Sequence, residues 1–259
     1  MEETAARRAA EALLKEHKTG VQFRAFDAGT GLASMGDAYD IQDKYVALLR
    51  PEQGEPVGYK VGLTSKTMQA FCGIDHPIGG VVLARRVHPS GATVRRGDYG
   101  RLGLEFEIAV RMKSDMPATA QTPAAVAPHV DGVCAAIEVV DDRAADYTNL
   151  DVRSLVADNS WNAGMVLSHF AMPWPDLEGM PGKASKDGVP IGEGYGRDIL
   201  GHPFNSVAWL NAQLASRGAG LRKGQVVMTG SVVKTVFPTE AATYRFEFEG
   251  LGAVEVRVA

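Results

Sequence analysis

The stretch Leu104-Glu105-Phe106-Glu107-Ile108-Ala109-Val110 decides the fold of this chain. Its apolar residues alternate with two glutamates, and this alternation predicts a β-strand with one apolar face. Because side chains two residues apart lie on the same face of a strand, Glu105 and Glu107 point together while Phe106 points away. Two carboxylates are therefore directed at one spot, unless this is an edge strand whose acidic side faces water.

Short β-branched runs, bounded by Gly, Pro and Asp, predict further strands on both sides of this one. Together they indicate a largely antiparallel or mixed sheet. The predicted strands are Pro56 to Leu63, Val81 to Val87, Leu104 to Met112, Val133 to Val140, Met165 to Ser168, Gln225 to Thr229, Thr243 to Phe248 and Ala253 to Val258.

Helical spacing of apolar residues predicts two helices before the first strand, over Glu2 to Lys18 and Ser34 to Leu49. Gly20 and Pro51 are the expected stop signals just beyond them. We therefore expect an α+β fold in two parts. A small helical N-terminal lobe occupies residues 1–54, and a mixed β domain occupies residues 55–259.

Three shorter helices are predicted within the β domain, at Pro123 to His129, Asp151 to Asp158 and Pro203 to Ser216. The stretch Pro173 to Gly196 is rich in Gly and Pro. Such a composition is too irregular for a buried element, so we expect a long functional or connecting loop there.

The composition excludes several classes of protein. Hydrophobic residues make up 45% and charged residues 22%, which is ordinary for a globular chain. With 27 basic and 31 acidic residues and no basic run, nucleic acid is not expected as a partner. No apolar run is long enough for a membrane span, and no signal peptide is recognised. Because Cys72 and Cys134 are too few for a disulfide framework, we expect a cytoplasmic protein.

Glu138 stands alone in the apolar run Ala135-Ala136-Ile137-Glu138-Val139-Val140. An ionised carboxylate there is costly unless it is paired or bound to a metal. Together with Glu105 and Glu107 it suits a hard divalent cation such as Mg²⁺, Mn²⁺ or Ca²⁺, whereas zinc and copper prefer His and Cys. The alternative is a salt bridge from Glu138 to Arg143 or Lys60.

Lys60 lies in the segment Val57-Gly58-Tyr59-Lys60-Val61-Gly62, whose other members are largely apolar or glycine. Glycines on both sides of a lysine let a ligand approach the backbone closely. In a site with a metal, this lysine is a candidate acid, base or partner for an oxyanion. The alternative is a strand lysine whose ammonium group lies in water.

Other candidates carry weaker signals. Asp75 lies in Gly73-Ile74-Asp75-His76-Pro77, where it is either a catalytic acid or a cap of the turn. The segment Asp158-Asn159-Ser160 could cap a helix end. Neither a dinucleotide-binding fingerprint nor a G-x-S-x-G nucleophile motif is present, so covalent acyl catalysis is not expected.

A series of segments, in order and over nearly the whole chain, resembles the 2-keto-4-pentenoate hydratase branch of the fumarylacetoacetate hydrolase superfamily. Each segment is a weak signal by itself, but the series is specific. The segments are Asp37-Ala38-Tyr39-Asp40-Ile41-Gln42, Gly58-Tyr59-Lys60-Val61-Gly62-Leu63-Thr64-Ser65, Glu105-Phe106-Glu107, Ala136-Ile137-Glu138-Val139-Val140-Asp141, Ala157-Asp158-Asn159-Ser160, Gly201-His202-Pro203-Phe204-Asn205-Ser206-Val207-Ala208-Trp209-Leu210 and Val226-Val227-Met228-Thr229-Gly230-Ser231.

This resemblance implies a mixed β-sandwich or roll, with the domain over residues 55–259 as the catalytic one. It also implies a divalent cation, Mg²⁺ first, held by three glutamates, and a substrate contact from Ser160. The catalytic residues would be Lys60 and Asp75. Family members often have a second acid near Asp75, but here His76 follows it, so the base is either Asp75 or a water on the cation.

The implied activity is the metal-dependent hydration of 2-hydroxypenta-2,4-dienoate to 4-hydroxy-2-oxopentanoate in bacterial degradation of aromatic compounds. One alternative is a 4-oxalocrotonate decarboxylase, which needs the same dienolate-stabilising metal. A second is a noncatalytic oxo-acid-binding protein, which would have no need of a buried Lys60. Exposed apolar faces on a sheet-rich chain also lead us to expect a homo-oligomer.

Overall fold

The computed structural model describes all 259 residues and has an α+β fold, as predicted. Two helices precede the first strand, and four shorter ones lie between later strands. The helices are α1 (Glu3–Thr19), α2 (Met35–Gln53), α3 (Lys66–Phe71), α4 (Pro123–Val126), α5 (Val152–Ala157) and α6 (Pro203–Ser216).

Twelve strands form two mixed sheets. The larger sheet has the order β2-β1-β10-β5-β6-β7-β3, and the smaller one has the order β4-β12-β11-β8-β9. The strands are β1 (Pro56–Gly62), β2 (Ile78–Leu83), β3 (Val87–Pro89), β4 (Ala92–Val94), β5 (Leu102–Met112), β6 (Val130–Asp141), β7 (Asn162–Leu167), β8 (Pro181–Lys186), β9 (Val189–Tyr195), β10 (Val226–Ser231), β11 (Ala242–Phe248) and β12 (Gly252–Val258).

The main core lies between the two sheets, where the apolar face of β5 meets the smaller sheet. Leu104, Phe106 and Ile108 are fully buried in this core together with Phe246 of β11. The rings of Phe106 and Phe246 have centroids 5.8 Å apart. Burial of one face of β5 between the sheets leaves its other face for Glu105 and Glu107, so the predicted alternation is confirmed.

The two N-terminal helices pack on each other and on α5. The small side chains of Ala6 and Ala10 let α1 approach Ile41 and Tyr45 of α2 closely, and all four side chains are buried. Gly20 ends α1 in the left-handed conformation, with φ +65°. The buried face of α2 also contacts α5 of the β domain, and the boundary at residue 54 stays a prediction.

The second helix runs to Gln53, so the predicted stop at Pro51 is wrong. Proline fixes φ at a helical value and removes only one backbone donor. In the last turn of a helix this loss affects a single hydrogen bond, and Gly54 still donates to the carbonyl oxygen of Arg50 at 2.8 Å. The cost is therefore too small to end the helix early.

The predicted loop from Pro173 to Gly196 is also wrong, because most of it forms the hairpin of β8 and β9. Its glycines reflect close packing. A Cβ atom placed on Gly182 would lie 2.6 Å from the ring of Phe246. The low side-chain bulk that suggested a loop instead allows the hairpin to lie against the core of the smaller sheet.

The predicted strand Val81 to Val87 is correct only in part. The strand β2 begins earlier, at Ile78, and ends at Leu83, and a short 3-10 turn separates it from β3. The earlier start matters for the site, because it brings Gly79 and Gly80 into the sheet beside Lys60. None of the helices is both long and apolar enough to cross a lipid bilayer.

Candidate active site

The face of the larger sheet that points away from the main core brings the three predicted glutamates together. Glu105 of β5 lies directly opposite Glu138 of β6 in the strand register, and Glu107 follows on the same face. One carboxylate oxygen from each residue lies within 4.8 Å of the others. Glu107 and Glu138 are fully buried, whereas Glu105 is half-buried. The alternative of an edge strand facing water is excluded, because β5 lies in the middle of the sheet.

Each glutamate is held by one donor from a different segment of the chain. The Thr235 hydroxyl donates to Oε1 of Glu105 at 2.6 Å, and the Gly230 amide donates to Oε2 of Glu107 at 2.8 Å. The Nδ2 group of Asn162 donates to Oε1 of Glu138 at 2.9 Å. These contacts orient the three carboxylates, and none of them uses the second oxygen of the carboxylate that it holds.

Lys60 is the only cation in this group. Its side chain is buried, and its Nζ lies 3.1 Å from Oε2 of Glu138. The distance is that of an ion pair, but the angle leaves Oε2 without an aligned hydrogen bond. Of the two salt bridges considered for Glu138, the one to Lys60 is observed, and it coexists with the glutamate cluster. We call Lys60 and the three glutamates the carboxylate cluster.

Burial and like charge perturb the ionisation of the cluster. Burial, reinforced by Glu138 and Glu105, raises the pKa of Glu107 well above its usual range. Burial also raises the pKa of Glu138, although Lys60 opposes the shift. Burial alone would lower the pKa of Lys60, but the three carboxylates outweigh it and raise that pKa. The lysine therefore stays charged, while the carboxylates exceed the single positive charge present.

The cluster fits a hard divalent cation. Oε1 of Glu107 and Oε2 of Glu138 are buried and have no hydrogen-bond partner. Unpartnered buried carboxylate oxygens are costly, and a cation that accepts oxygen ligands removes that cost. The donor set contains only oxygen, which suits Mg²⁺, Mn²⁺ or Ca²⁺ rather than zinc or copper.

Ser160 lies in a left-handed turn beside Lys60. The φ angles of Asn159, Ser160 and Trp161 are +51°, +51° and +58°. The left-handed backbone conformation costs roughly 1–2 kcal/mol for each residue that is not glycine. The surroundings must therefore hold the turn in place. The Ser160 hydroxyl donates at 2.8 Å to the carbonyl oxygen of Gly79, far away in the sequence. This is not the local cap that was the alternative, and no contact with a glutamate is observed.

Asp75 lies apart from the other candidates. It is exposed in the turn between α3 and β2, and the structure gives it no hydrogen bond or ion pair with Lys60 or a glutamate. The neighbouring His76 makes a local contact with the backbone, in which its Nδ1 lies 2.7 Å from the carbonyl oxygen of Pro77. The catalytic role of Asp75 stays a prediction.

A second group of charges centres on the buried residues Arg143 and Asp158. Arg143 donates to Asp158 at 2.8 Å and to Glu16 at 3.0 Å, and Nε2 of His17 lies 2.7 Å from the other oxygen of Asp158. We call these four residues the ion network. It connects α1 to the β domain and explains why Arg143 is not the partner of Glu138.

Sequence reasoning missed the residues that orient the glutamates. Asn162 lies two residues after the segment Asp158-Asn159-Ser160. That segment was recognised in the sequence, and including the residues just after it would have identified Asn162. Thr235 gave none, because it is 130 positions away from Glu105 in the chain. Only the bridge between Leu104 and Val236 brings that segment beside β5.

Comparison with known proteins identifies the family of this chain. The sequence profile of the fumarylacetoacetate (FAA) hydrolase C-terminal family matches residues 60–259. The 2-keto-4-pentenoate hydratase of Burkholderia vietnamiensis (strain G4 / LMG 22486) is 33% identical over 221 residues, which cover 84% of this chain and 83% of that protein. The 4-oxalocrotonate decarboxylase of Pseudomonas putida is 31% identical over 227 residues, covering 86% and 85%.

A solved structure extends the similarity to the whole fold. The 4-oxalocrotonate decarboxylase from Pseudomonas putida G7, complexed with magnesium and adipate, superposes with a TM-score of 0.93 at 26% identity. The superposition covers 100% of this chain and 99% of that one. The chain therefore belongs to the fumarylacetoacetate hydrolase C-terminal family, in the branch that contains 2-keto-4-pentenoate hydratases and 4-oxalocrotonate decarboxylases.

Proposed function

We propose that this protein is a metal-dependent hydratase that converts 2-hydroxypenta-2,4-dienoate into 4-hydroxy-2-oxopentanoate. The observation that carries the proposal is the carboxylate cluster, in which buried oxygens without partners adjoin a buried lysine. Hydratases of this branch that cover most of the chain support the reaction type. Mg²⁺ is the proposed cation, held by Glu105, Glu107 and Glu138.

The cation, when bound, acts as a Lewis acid toward the C1 carboxylate and C2 oxygen of the substrate. The reaction first moves a proton from the C2 hydroxyl group to C5, which gives an enone. Water then adds its oxygen to C4 and a proton to C3. Lys60 is proposed to direct its ammonium group at the C2 oxygen, where negative charge develops during both steps.

Ser160 is proposed to bind the substrate carboxylate or oxo group. Its only proton is donated to Gly79 in the present arrangement, so binding requires the hydroxyl to turn. The carbonyl oxygen of Gly79 would still accept a hydrogen bond from Nε2 of Gln42, at 2.9 Å, after that turn. Asp75 is proposed as the proton-transferring acid or base, which requires the turn that carries it to move toward Lys60.

A 4-oxalocrotonate decarboxylase is the second candidate, favoured by the match over the whole fold to the Pseudomonas putida G7 enzyme. That reaction breaks the bond to a carboxylate and releases CO₂, and it needs the same stabilised dienolate. The carboxylate cluster serves either reaction, so only the products distinguish them.

The test is a spectrophotometric screen of the purified protein with 2-hydroxypenta-2,4-dienoate and with 2-oxo-hex-3-enedioate. Each assay is run with Mg²⁺ and with a chelator, and the products are identified. We expect Mg²⁺-dependent formation of 4-hydroxy-2-oxopentanoate from the first substrate. Release of CO₂ from the second substrate, with no hydration of the first, would establish the decarboxylase instead.

A further inference from the structure

We propose that Asn159 is a positioning residue of the active site, because it fastens the left-handed turn 159–161 to the sheet and so places both Lys60 and Glu138. The turnover part of the test rests on the proposed function. The structural argument does not, because it depends only on contacts of Asn159 and its neighbours.

Asn159 takes the place of a missing strand. The strand β2 lies at the edge of the larger sheet, so its backbone has no strand partner on the outer side. The buried Asn159 side chain supplies both hydrogen bonds: Oδ1 accepts from the Val81 amide at 2.7 Å, and Nδ2 donates to the Val81 carbonyl oxygen at 2.8 Å. A side-chain amide carries both a donor and an acceptor, so it can replace the peptide group of a neighbouring strand in this way.

The fastened turn and the side chain of Lys60 both pack over Gly80. Only Gly80 separates them, and a Cβ atom on Gly80 would lie 2.7 Å from the Asn159 carbonyl oxygen and 3.1 Å from Cγ of Lys60. The same atom would lie 3.3 Å from Cβ of Ser160. The turn and the aliphatic part of Lys60 therefore share the space over Gly80, which has no room for a side chain, so we infer that a shift of the turn changes where Nζ of Lys60 points.

The other end of the turn reaches the glutamates. Asn162 begins β7 directly after the turn, and its Nδ2 group orients Glu138. Trp161 is buried between the rings of Phe23 and Tyr147, which hold the turn from outside. Asn159 is thus the polar attachment that couples the edge strand to both the lysine and one carboxylate of the cluster.

The experiment compares Asn159→Gly and Asn159→Ala with Asn211→Ala. Glycine accepts the positive φ of residue 159 and removes only the attachment, so this variant retains the preferred backbone conformation. Asn211 is a matched control: its buried amide also bonds backbone at both ends, to Pro117 at 3.0 Å and to Leu221 at 3.1 Å, but in α6. Thermal denaturation checks that each variant is folded and measures its loss of stability.

Two readouts separate positioning from stability. The first is the steady-state turnover of the dienoate, with kcat and KM measured separately at saturating Mg²⁺. The second is the binding of Mn²⁺ alone, followed by the electron paramagnetic resonance signal of the free ion. The second readout needs no substrate, so it tests the role of Asn159 even if the wild-type protein does not hydrate the dienoate.

For Asn159→Gly we expect kcat to fall about tenfold to a hundredfold with little change in KM, the size of effect that a misplacement of about 1 Å produces. We expect the dissociation constant for Mn²⁺ to rise about tenfold, the lower end of the effect of losing an outer contact of a metal ligand. Asn211→Ala should lose stability alone. Wild-type kcat and Mn²⁺ binding in Asn159→Gly would overturn the proposal, and so would equal losses in Asn211→Ala.

Discussion

The carboxylate cluster and the ion network both contain buried charges, and each takes one member from β6 or the loop after it, Glu138 and Arg143 respectively. They differ in balance. In the ion network, Arg143 is shared between Asp158 and Glu16, and only its Nε lacks a partner. In the carboxylate cluster, three carboxylates share one ammonium group, and two buried carboxylate oxygens accept no hydrogen bond.

The difference teaches how to distinguish a structural group of charges from a site. A buried ion pair is tolerated when its hydrogen bonds are made, because they offset the loss of hydration. The ion network meets this condition at every buried atom except Nε of Arg143, and it joins α1 to the β domain. The carboxylate cluster does not meet it, so the fully ionised form of the cluster is favourable only with a further cation.

Removal of one glutamate should have the largest effect. In Glu138→Ala we expect turnover to fall on the order of a thousandfold or more, because the cation supplies several kcal/mol of stabilisation to the transition state. Calorimetric titration with Mg²⁺ and the Mg²⁺ dependence of turnover measure this loss. Glu247→Ala, which changes an exposed glutamate paired with Arg245, is the control and should keep wild-type values. Unchanged metal dependence in Glu138→Ala would show that the carboxylate cluster, like the ion network, does not bind the cation.

Removal of the cation of the ion network should affect stability instead. Arg143→Met leaves Asp158 buried with only His17 as a partner, and breaking a buried pair costs about 3–5 kcal/mol of unfolding free energy. Urea denaturation measures this change. The control is Arg222→Met, which breaks an exposed pair with Asp115 and should cost less than about 1 kcal/mol. If Arg143→Met weakened Mg²⁺ binding as much as Glu138→Ala, the distinction between the two groups would fail.

Lys60→Ala separates catalysis from binding within the carboxylate cluster. Its ammonium group meets more negative charge in the transition state than in the ground state, and only that difference speeds the reaction. We expect kcat to fall on the order of a hundredfold to a thousandfold, since one such hydrogen bond is worth roughly 2.7 to 4 kcal/mol. The affinity for a substrate analogue should fall far less. Lys183→Ala, on the exposed side of β8, is the control, and wild-type turnover in Lys60→Ala would contradict the proposed role.

The smallest effect concerns the pH dependence of the metal-free protein. Because the pKa of Glu107 is raised in the folded state, the native protein keeps a proton that the unfolded chain releases. The free energy of unfolding therefore falls as the pH rises above the ordinary range of a carboxyl group. Arg143 of the ion network adds no such dependence. Burial lowers the pKa of its guanidinium group, but Asp158 and Glu16 together raise that pKa by more, so the group stays charged.

Glu107→Gln removes this titration. In a chelating buffer we expect the variant to melt a few degrees above the wild type at pH 8, the shift that about 1 kcal/mol produces in a chain of this size. At pH 5 the difference should be smaller, because most of the wild-type protein is then protonated at Glu107. Thermal denaturation at both pH values measures the two differences. A variant less stable than the wild type at pH 8 would contradict the claim that the ionised Glu107 carboxylate destabilises the metal-free protein.

Much of the fold followed from local patterns. The alternation around Phe106 and the helical spacing in α1 and α6 predicted those elements closely, because each pattern reflects one buried face. The hairpin of β8 and β9 could not be predicted in the same way. Gly182 is required by the ring of Phe246, which lies in β11, and a Cβ atom on Gly192 would lie 2.2 Å from Val233, so the reason for these glycines is outside the local sequence.

The sequence by itself determined the chemistry of the site: two glutamates on one strand face, a third in an apolar strand, and a lysine between glycines. These features are local, since residue type and strand periodicity are enough to define them. Only the tertiary structure decided which partner each charge has. It paired Lys60 with Glu138 and Arg143 with Asp158, because register and strand order determine which buried charges lie within reach. It also brought Asn159 to the edge of β2, since 78 positions of chain separate that residue from Val81 and only the folded sheet joins them.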